Sequence, residues 1–305
     1  MPGWIRYTRK ISWLGLISSA VFLIYADTSR PRLPEGVRGY VDVIYRRVGF
    51  RNQKLDVYVP KQFTGDPRPA IVAIHGGSWK GGSKNTYGRD VSKLVNHGYV
   101  VISVSYCLAS PSQPSWPDNL EDLQAAIRWI RRHAGEYGVD SSRIVAFGAS
   151  AGGHLAALLG THMAGTDEEA KVQAVVCMYG PTDLRDLCRK PRPEQSLRLL
   201  FGKSVDEAPE FYVAASPLTH VSRANAPMLF IHGEIDDSIP VEQSVRMAET
   251  LRSHGVATEM ILVPGAGHSF RFDAAAYNLV PRIVAFLDRN LDRRNAQISS
   301  DVWRK

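Results

Sequence analysis

Cysteine is scarce in this chain of 305 residues. The three present, Cys107, Cys177 and Cys188, cannot all pair with one another, and none has CxxC or zinc-ligand spacing. A disulfide framework is therefore excluded, and at least one thiol is expected to be free and buried. A Cys177–Cys188 disulfide stays open, because sequence separation does not fix the geometry such a bond requires. His154 and His162 lie more than a helical turn apart, no HExxH pattern occurs, and no metal site is expected. The chain also lacks low-complexity tracts and any repeat of fixed period, so most of it should fold. Charge of one sign is not concentrated. The formal net charge is +7, but the pairs Arg46-Arg47, Arg131-Arg132 and Arg293-Arg294 are scattered and have no interleaved aromatics. They read as solvated faces, and no nucleic-acid partner is expected. A phosphate loop fails as well. Gly77 and Gly82 bracket four residues, but Ser83-Lys84 reverses the Lys-Ser/Thr order of a P-loop.

One apolar run stands apart. Arg6, Arg9 and Lys10 precede an uncharged stretch from Ile11 to Ala26, the layout of a basic n-region before a membrane-inserting segment. It is longer than a typical cleavable h-region and shorter than the roughly 20 residues a helix needs to cross hydrocarbon. Both fates stay open: a retained membrane anchor, or a signal peptide with a secreted or periplasmic product. Cleavage at the small residues Ser18-Ser19-Ala20 would leave Val21 to Tyr25 exposed, which favours the anchor. A buried core helix is disfavoured by the polar, proline-rich linker from Thr28 to Gly36. The expected division is a signal or anchor segment and linker over 1–35, one catalytic domain over 36–292, and a polar tail over 293–305.

Within the domain, Tyr40 to Tyr45 and Lys54 to Val59 are β-rich runs separated by Gly49 to Gln53, which predicts an antiparallel lead-in hairpin. Short apolar strands then alternate with segments of helical period. The strands are Ala70 to Ile74, Tyr99 to Val104, Arg143 to Phe147, Val172 to Met178, Pro227 to Ile231 and Thr258 to Val263. In Leu120 to His133, the residues Leu120, Leu123, Ala126, Ile127 and Ile130 form one helical stripe, with the arginines opposite. The pattern predicts an α/β fold: a mostly parallel central sheet with helices on both faces. Asp183 to Ala215 is irregular and holds Pro191, Pro193 and Pro209, so it reads as a short insertion over a substrate site.

Gly148-Ala149-Ser150-Ala151-Gly152 follows the strand Arg143 to Phe147 and precedes the small-residue helical run His154 to Gly160. That is the strand–turn–helix setting of a nucleophile elbow, where glycines allow the unusual backbone angles and the close strand–helix approach. A serine hydroxyl is a poor nucleophile until a base takes its proton. Of nine histidines, His268 sits in Pro264-Gly265-Ala266-Gly267-His268-Ser269-Phe270, after the last predicted strand and before the final helix. An acid must fix its tautomer, and Asp236 lies just after the strand Pro227 to Ile231; the adjacent Asp237 is an alternative. The order Ser, Asp, His is the one the α/β-hydrolase fold uses. His75-Gly76-Gly77-Ser78-Trp79 follows the strand Ala70 to Ile74. Its backbone N–H groups, those of Gly77 and Ser78 above all but also Gly76, join that of Ala151 as candidate oxyanion donors. His75 is expected to shape this loop. Trp79 and Trp116 are candidate pocket walls.

Together HGGSW at 75–79, GASAGGHL at 148–155, HGEIDDSIP at 232–240 and GAGH at 265–268 resemble the carboxylesterases of the α/β-hydrolase superfamily. The group concerned holds the feruloyl/acetyl-xylan esterase-like and kynurenine formamidase-like enzymes, near the hormone-sensitive-lipase type. The resemblance covers roughly residues 40–290 and implies a serine esterase of small-molecule esters, with Asp236 as the acid and no cofactor. One departure is Cys107, in Tyr106-Cys107-Leu108-Ala109, where the related esterases often carry arginine. This bears on the local salt bridges and the acyl pocket. Amidase or peptidase chemistry on the same triad, and a non-catalytic binding module, are the alternatives.

Overall fold

A strand covered on both faces needs apolar residues at successive positions, and the run from Ala70 to Ile74 supplies them. In the computed structural model, which describes residues 33–62, 65–161, 167–189 and 191–291, that run lies in strand β3 (Arg68–Ile74). The sheet also contains β1 (Val37–Val48), β2 (Arg51–Pro60), β4 (Val100–Val104) and β5 (Val139–Ala149). It is completed by β6 (Ala174–Met178), β7 (Met228–Gly233) and β8 (Thr258–Val263). The strand order is β1-β2-β4-β3-β5-β6-β7-β8. β2 is antiparallel to β1 and β4, and every other pairing is parallel.

Alternation along each central strand divides the core into two layers. Ala70, Val72 and Ile74 of β3 and Ile144 and Ala146 of β5 enter one cluster; Ile71, Ala73, Val145 and Phe147 enter the other. The first layer is closed by α2 (Asp118–Arg132), α3 (Ala151–Thr161) and α7 (Glu242–Ser253), the second by α1 (Lys84–Val91) and α8 (Val280–Leu291). The stripe Leu120, Leu123, Ala126, Ile127 and Ile130 of α2 is buried as its spacing predicts, and each of its leucines and isoleucines contributes about 1.5–3 kcal/mol. The irregular stretch after Asp183 holds three short helices, α4 (Leu184–Leu187), α5 (Pro191–Phe201) and α6 (Pro209–Ala214). All three cysteines are free and buried.

The hairpin turn differs from the sequence reading. It is only Gly49-Phe50, with Val48 paired to Arg51, because Gly49 takes a left-handed conformation (φ 55°) that closes a two-residue loop. Helix α1 has a sequence poor in helix formers, and tertiary contacts fix it instead. Lys84 at its start is buried and pairs with Asp56 at 2.8 Å and Asp42 at 3.0 Å. Asp56 also accepts the Asp42 N–H at 2.8 Å and the Tyr58 hydroxyl at 3.2 Å. Removing one partner strands the other in the core. Asp56→Ala is therefore expected to cost about 3–5 kcal/mol in equilibrium urea denaturation.

The apolar run from Ile11 to Ala26, His162 and the tail over 293–305 lie outside the described residues. Among the described residues, no helix is long and apolar enough to cross a membrane.

Candidate active site

The carboxyl ends of the parallel strands converge on one edge of the sheet. β5 stops at Ala149 and α3 begins at Ala151, so Ser150 stands alone at the turn with φ 55°. A left-handed conformation costs a non-glycine residue roughly 1–2 kcal/mol, and the packing here enforces it. The Ser150 N–H donates to the Met178 carbonyl at 2.9 Å. A Cβ on Gly148 would fall 2.0 Å from the Gly152 carbonyl oxygen, and one on Gly152 would fall 2.1 Å from that of Ile74. Strand, turn and helix thus meet backbone to backbone, and only glycine fits at those two positions.

His268 arrives from the loop after β8, and Asp236 from the loop after β7. The Ser150 Oγ lies 3.0 Å from His268 Nε2, and His268 Nδ1 lies 2.7 Å from Asp236 Oδ2. A carboxylate can only accept, so Nδ1 carries the proton and Nε2 is the nitrogen free to take one from Ser150. The other oxygen of Asp236 accepts the N–H groups of Ser238 and Ile239, both at 2.9 Å. Burial alone would raise this carboxyl. The His232 and His268 rings and the Ile239 N–H outweigh it and hold Asp236 well below the ordinary carboxylate range. Asp237 faces elsewhere, accepting from the Ser238 hydroxyl at 3.3 Å and lining the larger cavity.

The loop after β3 lies against the nucleophile: a Cβ on Gly76 would come within 3.2 Å of the Ser150 Cβ. Among the described residues the N–H groups of Gly77 and Ser78 find no backbone acceptor, and that of Ala151 opens helix α3, where no intrahelical partner exists. His75 stacks on Tyr106 with ring centroids 4.3 Å apart, and its Nδ1 donates to the Gly76 carbonyl at 2.8 Å. Burial lowers the His75 pKa. Its ring is committed to the loop.

Two cavities flank Ser150 and His268. The smaller, about 390 Å³, runs past Gly76 and Gly77 to Tyr87, Tyr179 and Phe270. The larger, about 760 Å³, is walled by Trp79, Pro181 and Ile239 and by Leu187, Pro193 and Gln195 of the insertion. Trp79 therefore stands at a cavity wall, while its indole N–H is engaged with His154. Trp116 lines neither cavity and packs edge-on against Phe201. Sequence reasoning missed Tyr179, which directly follows β6 and sets its ring 4.9 Å from that of His268; its place at a strand's carboxyl end was the available signal. Two arginines of the β1–β2 hairpin reach the Cys107 segment. Arg46 donates to Asp122 at 2.7 Å and Arg51 to the Cys107 sulfur at 3.0 Å, while Asp122 accepts the Cys107 N–H.

Residues 55–251 match the profile of the BD-FAE family. The chain belongs to the BD-FAE family. This BD-FAE chain is 33% identical over 267 residues to Esterase LipC of Mycobacterium tuberculosis (strain ATCC 25618 / H37Rv), a match covering 82% of the chain and 65% of LipC. To Esterase LipQ of the same organism it is 29% identical over 259 residues, covering 79% of the chain and 60% of LipQ. The chain thus spans less than two thirds of the length of these curated relatives. Among solved structures, a truncated carbohydrate esterase from gut microbiota superposes with a TM-score of 0.72 at 26% identity, covering 85% of this chain and 99% of that one. Esterase Est2 of the planctomycete Thermogutta terrifontis gives 0.66 at 28% identity, covering 86% and 94%; that protein has also been solved phosphonylated by sarin. With this sheet order and these neighbours, the BD-FAE chain has the α/β-hydrolase fold.

Proposed function

We propose that this chain is a serine carboxylesterase acting on small-molecule esters, with Ser150 as nucleophile, His268 as general base and acid, and Asp236 as the group that orients His268. The reading is carried by one observation, the relay of 3.0 Å from Ser150 Oγ to His268 Nε2 and 2.7 Å from His268 Nδ1 to Asp236 Oδ2. Ser150 Oγ attacks the ester carbonyl as His268 Nε2 takes its proton. The resulting oxyanion is held by the N–H groups of Gly77, Ser78 and Ala151, with Gly76 shaping the approach, an effect worth about 3 kcal/mol per donor in comparable sites. The imidazolium returns the proton to the departing alkoxide, which leaves as the alcohol. His268 then deprotonates a water that attacks the acyl-enzyme, releasing the acid and restoring Ser150. The names of LipC and LipQ and the sarin adduct of the Thermogutta esterase support this reading. The run from Ile11 to Ala26 directs the chain to a membrane or across it, a reading supported by its basic flank and apolar length.

The test is reaction of the full chain with a fluorophosphonate probe, mapping of the labelled residue by mass spectrometry, and turnover of p-nitrophenyl esters from acetate to octanoate. The expected result is a single adduct on Ser150 with turnover. A folded protein that takes no label overturns the assignment and favours a binding module.

A further inference from the structure

His154 has no place in the triad and lines neither cavity, yet it is fully buried with both ring nitrogens engaged. The Trp79 indole N–H donates to His154 Nδ1 at 3.1 Å, and His154 Nε2 lies 2.7 Å from the Ala215 carbonyl oxygen. An indole nitrogen can only donate and a carbonyl oxygen only accept. The proton therefore sits on Nε2, and Nδ1 is the acceptor. Burial lowers the pKa of the ring to about 4, which keeps that acceptor available at neutral pH. One side chain thereby links three parts of the molecule: helix α3, which starts beside Ser150; Trp79 of the oxyanion loop; and Ala215 at the end of the insertion.

What this link holds is strained. Ser78 and Trp79 are consecutive non-glycine residues at φ 53° and 59°, each costing roughly 1–2 kcal/mol, and such backbone persists only where its surroundings over-determine it. The Trp79 carbonyl accepts the Ala109 N–H at 2.8 Å, and the Gly77 carbonyl accepts those of Lys80 and Gly81 at 3.1 and 2.9 Å. These bonds close the loop on itself and on the segment after β4. The indole–imidazole bond ties it to the helix that carries the nucleophile.

We propose that His154 is a positioning residue for the oxyanion hole: by accepting the Trp79 indole N–H it fixes the N–H groups of Gly77 and Ser78 relative to Ser150. The inference rests on the esterase reading above. Donors placed for an oxyanion lose most of their effect when the loop shifts, while the ground-state carbonyl depends on them little. The loss should therefore fall on kcat and not on KM.

The experiment compares wild type with His154→Phe, which keeps a ring without the acceptor, Trp79→Phe, which removes the donor, the double variant, and His154→Asn, whose amide oxygen replaces the Nδ1 acceptor. Each Phe variant is expected to lose about 10–100-fold in kcat with KM for p-nitrophenyl acetate within about twofold. The double variant should be no worse than the poorer single, and His154→Asn should recover most of the loss. Affinity for a trifluoromethyl ketone, which forms an oxyanion on the serine, should fall in parallel with kcat. Should His154→Phe fail to fold, Trp79→Phe removes the same bond from its other end. A folded His154→Phe with a lowered Tm but unchanged kcat and ketone affinity overturns the inference alone. A wild type that neither turns over the ester nor labels at Ser150 overturns the esterase reading and this inference with it.

Discussion

Ser150→Ala is expected to keep the fold and abolish ester turnover. Alanine meets the same backbone demand as serine at φ 55°, keeps the N–H donated to Met178, and removes only the hydroxyl facing His268. Its Tm should therefore stay close to wild type, as it does for substitutions that break no cap, core or buried network. The effect on chemistry is of another order. Without the nucleophile there is no acyl-enzyme for His268 to build or hydrolyse, and a comparable triad loses about 10⁶ in kcat when its serine is removed. The measurement is p-nitrophenyl acetate turnover alongside a melting curve and fluorophosphonate labelling. Near-normal turnover in a folded Ser150→Ala protein would require a different nucleophile. The strand-to-helix turn would then be a packing feature only.

The strong sequence signals were those in which one residue type is physically obligatory. Gly148 and Gly152 are legible because no Cβ fits where strand and helix backbones meet, and the doubly buried strands are legible because both faces of a parallel sheet need apolar side chains. His268 and Asp236 were legible from their places after predicted strands, since a parallel sheet delivers every such loop to one edge. Other features depend on distant contacts. Helix α1 is held by Lys84, Asp56 and Asp42 and shows little helical preference of its own. The choice between Asp236 and Asp237 turns on the direction of two neighbouring side chains, which the Ser238 and Ile239 N–H groups decide locally. Trp116 carried the same composition signal as Trp79, but packs on Phe201 away from the cavities, because an aromatic beside a loop reads alike as core and as wall. Tyr179 has no accompanying motif, and its nearness to His268 comes from the loop after β8 reaching back to the end of β6, where the Tyr179 hydroxyl donates to the Phe270 carbonyl at 3.1 Å.

Replacing Asp236 by Asn tests the tautomer argument more sharply than removing the side chain. Two backbone N–H groups converge on the carboxylate oxygen turned away from His268, so an asparagine must place its amide oxygen there and present its NH₂ to His268 Nδ1. That nitrogen then has to accept, the proton moves to Nε2, and Nε2 faces Ser150 as a donor instead of a base. In a comparable triad the same exchange leaves the geometry intact and lowers kcat by about 10⁴. Asp236→Asn is therefore expected to fold, to lose about that factor, and to leave KM little changed. Stability provides an independent readout whose sign is fixed. Hydrogen bonds from His232, His268 and Ile239 outweigh burial and hold the Asp236 carboxyl below its ordinary value. Its contribution to stability is thus present at pH values above the unfolded-state pKa near about 4 and is lost as pH falls towards the folded-state value. The Tm gap between wild type and Asp236→Asn should be widest near neutral pH and should narrow below about pH 4. A gap that widens with acidity would mean that the carboxyl is held protonated by burial, and the orienting role assigned to Asp236 would fall with it.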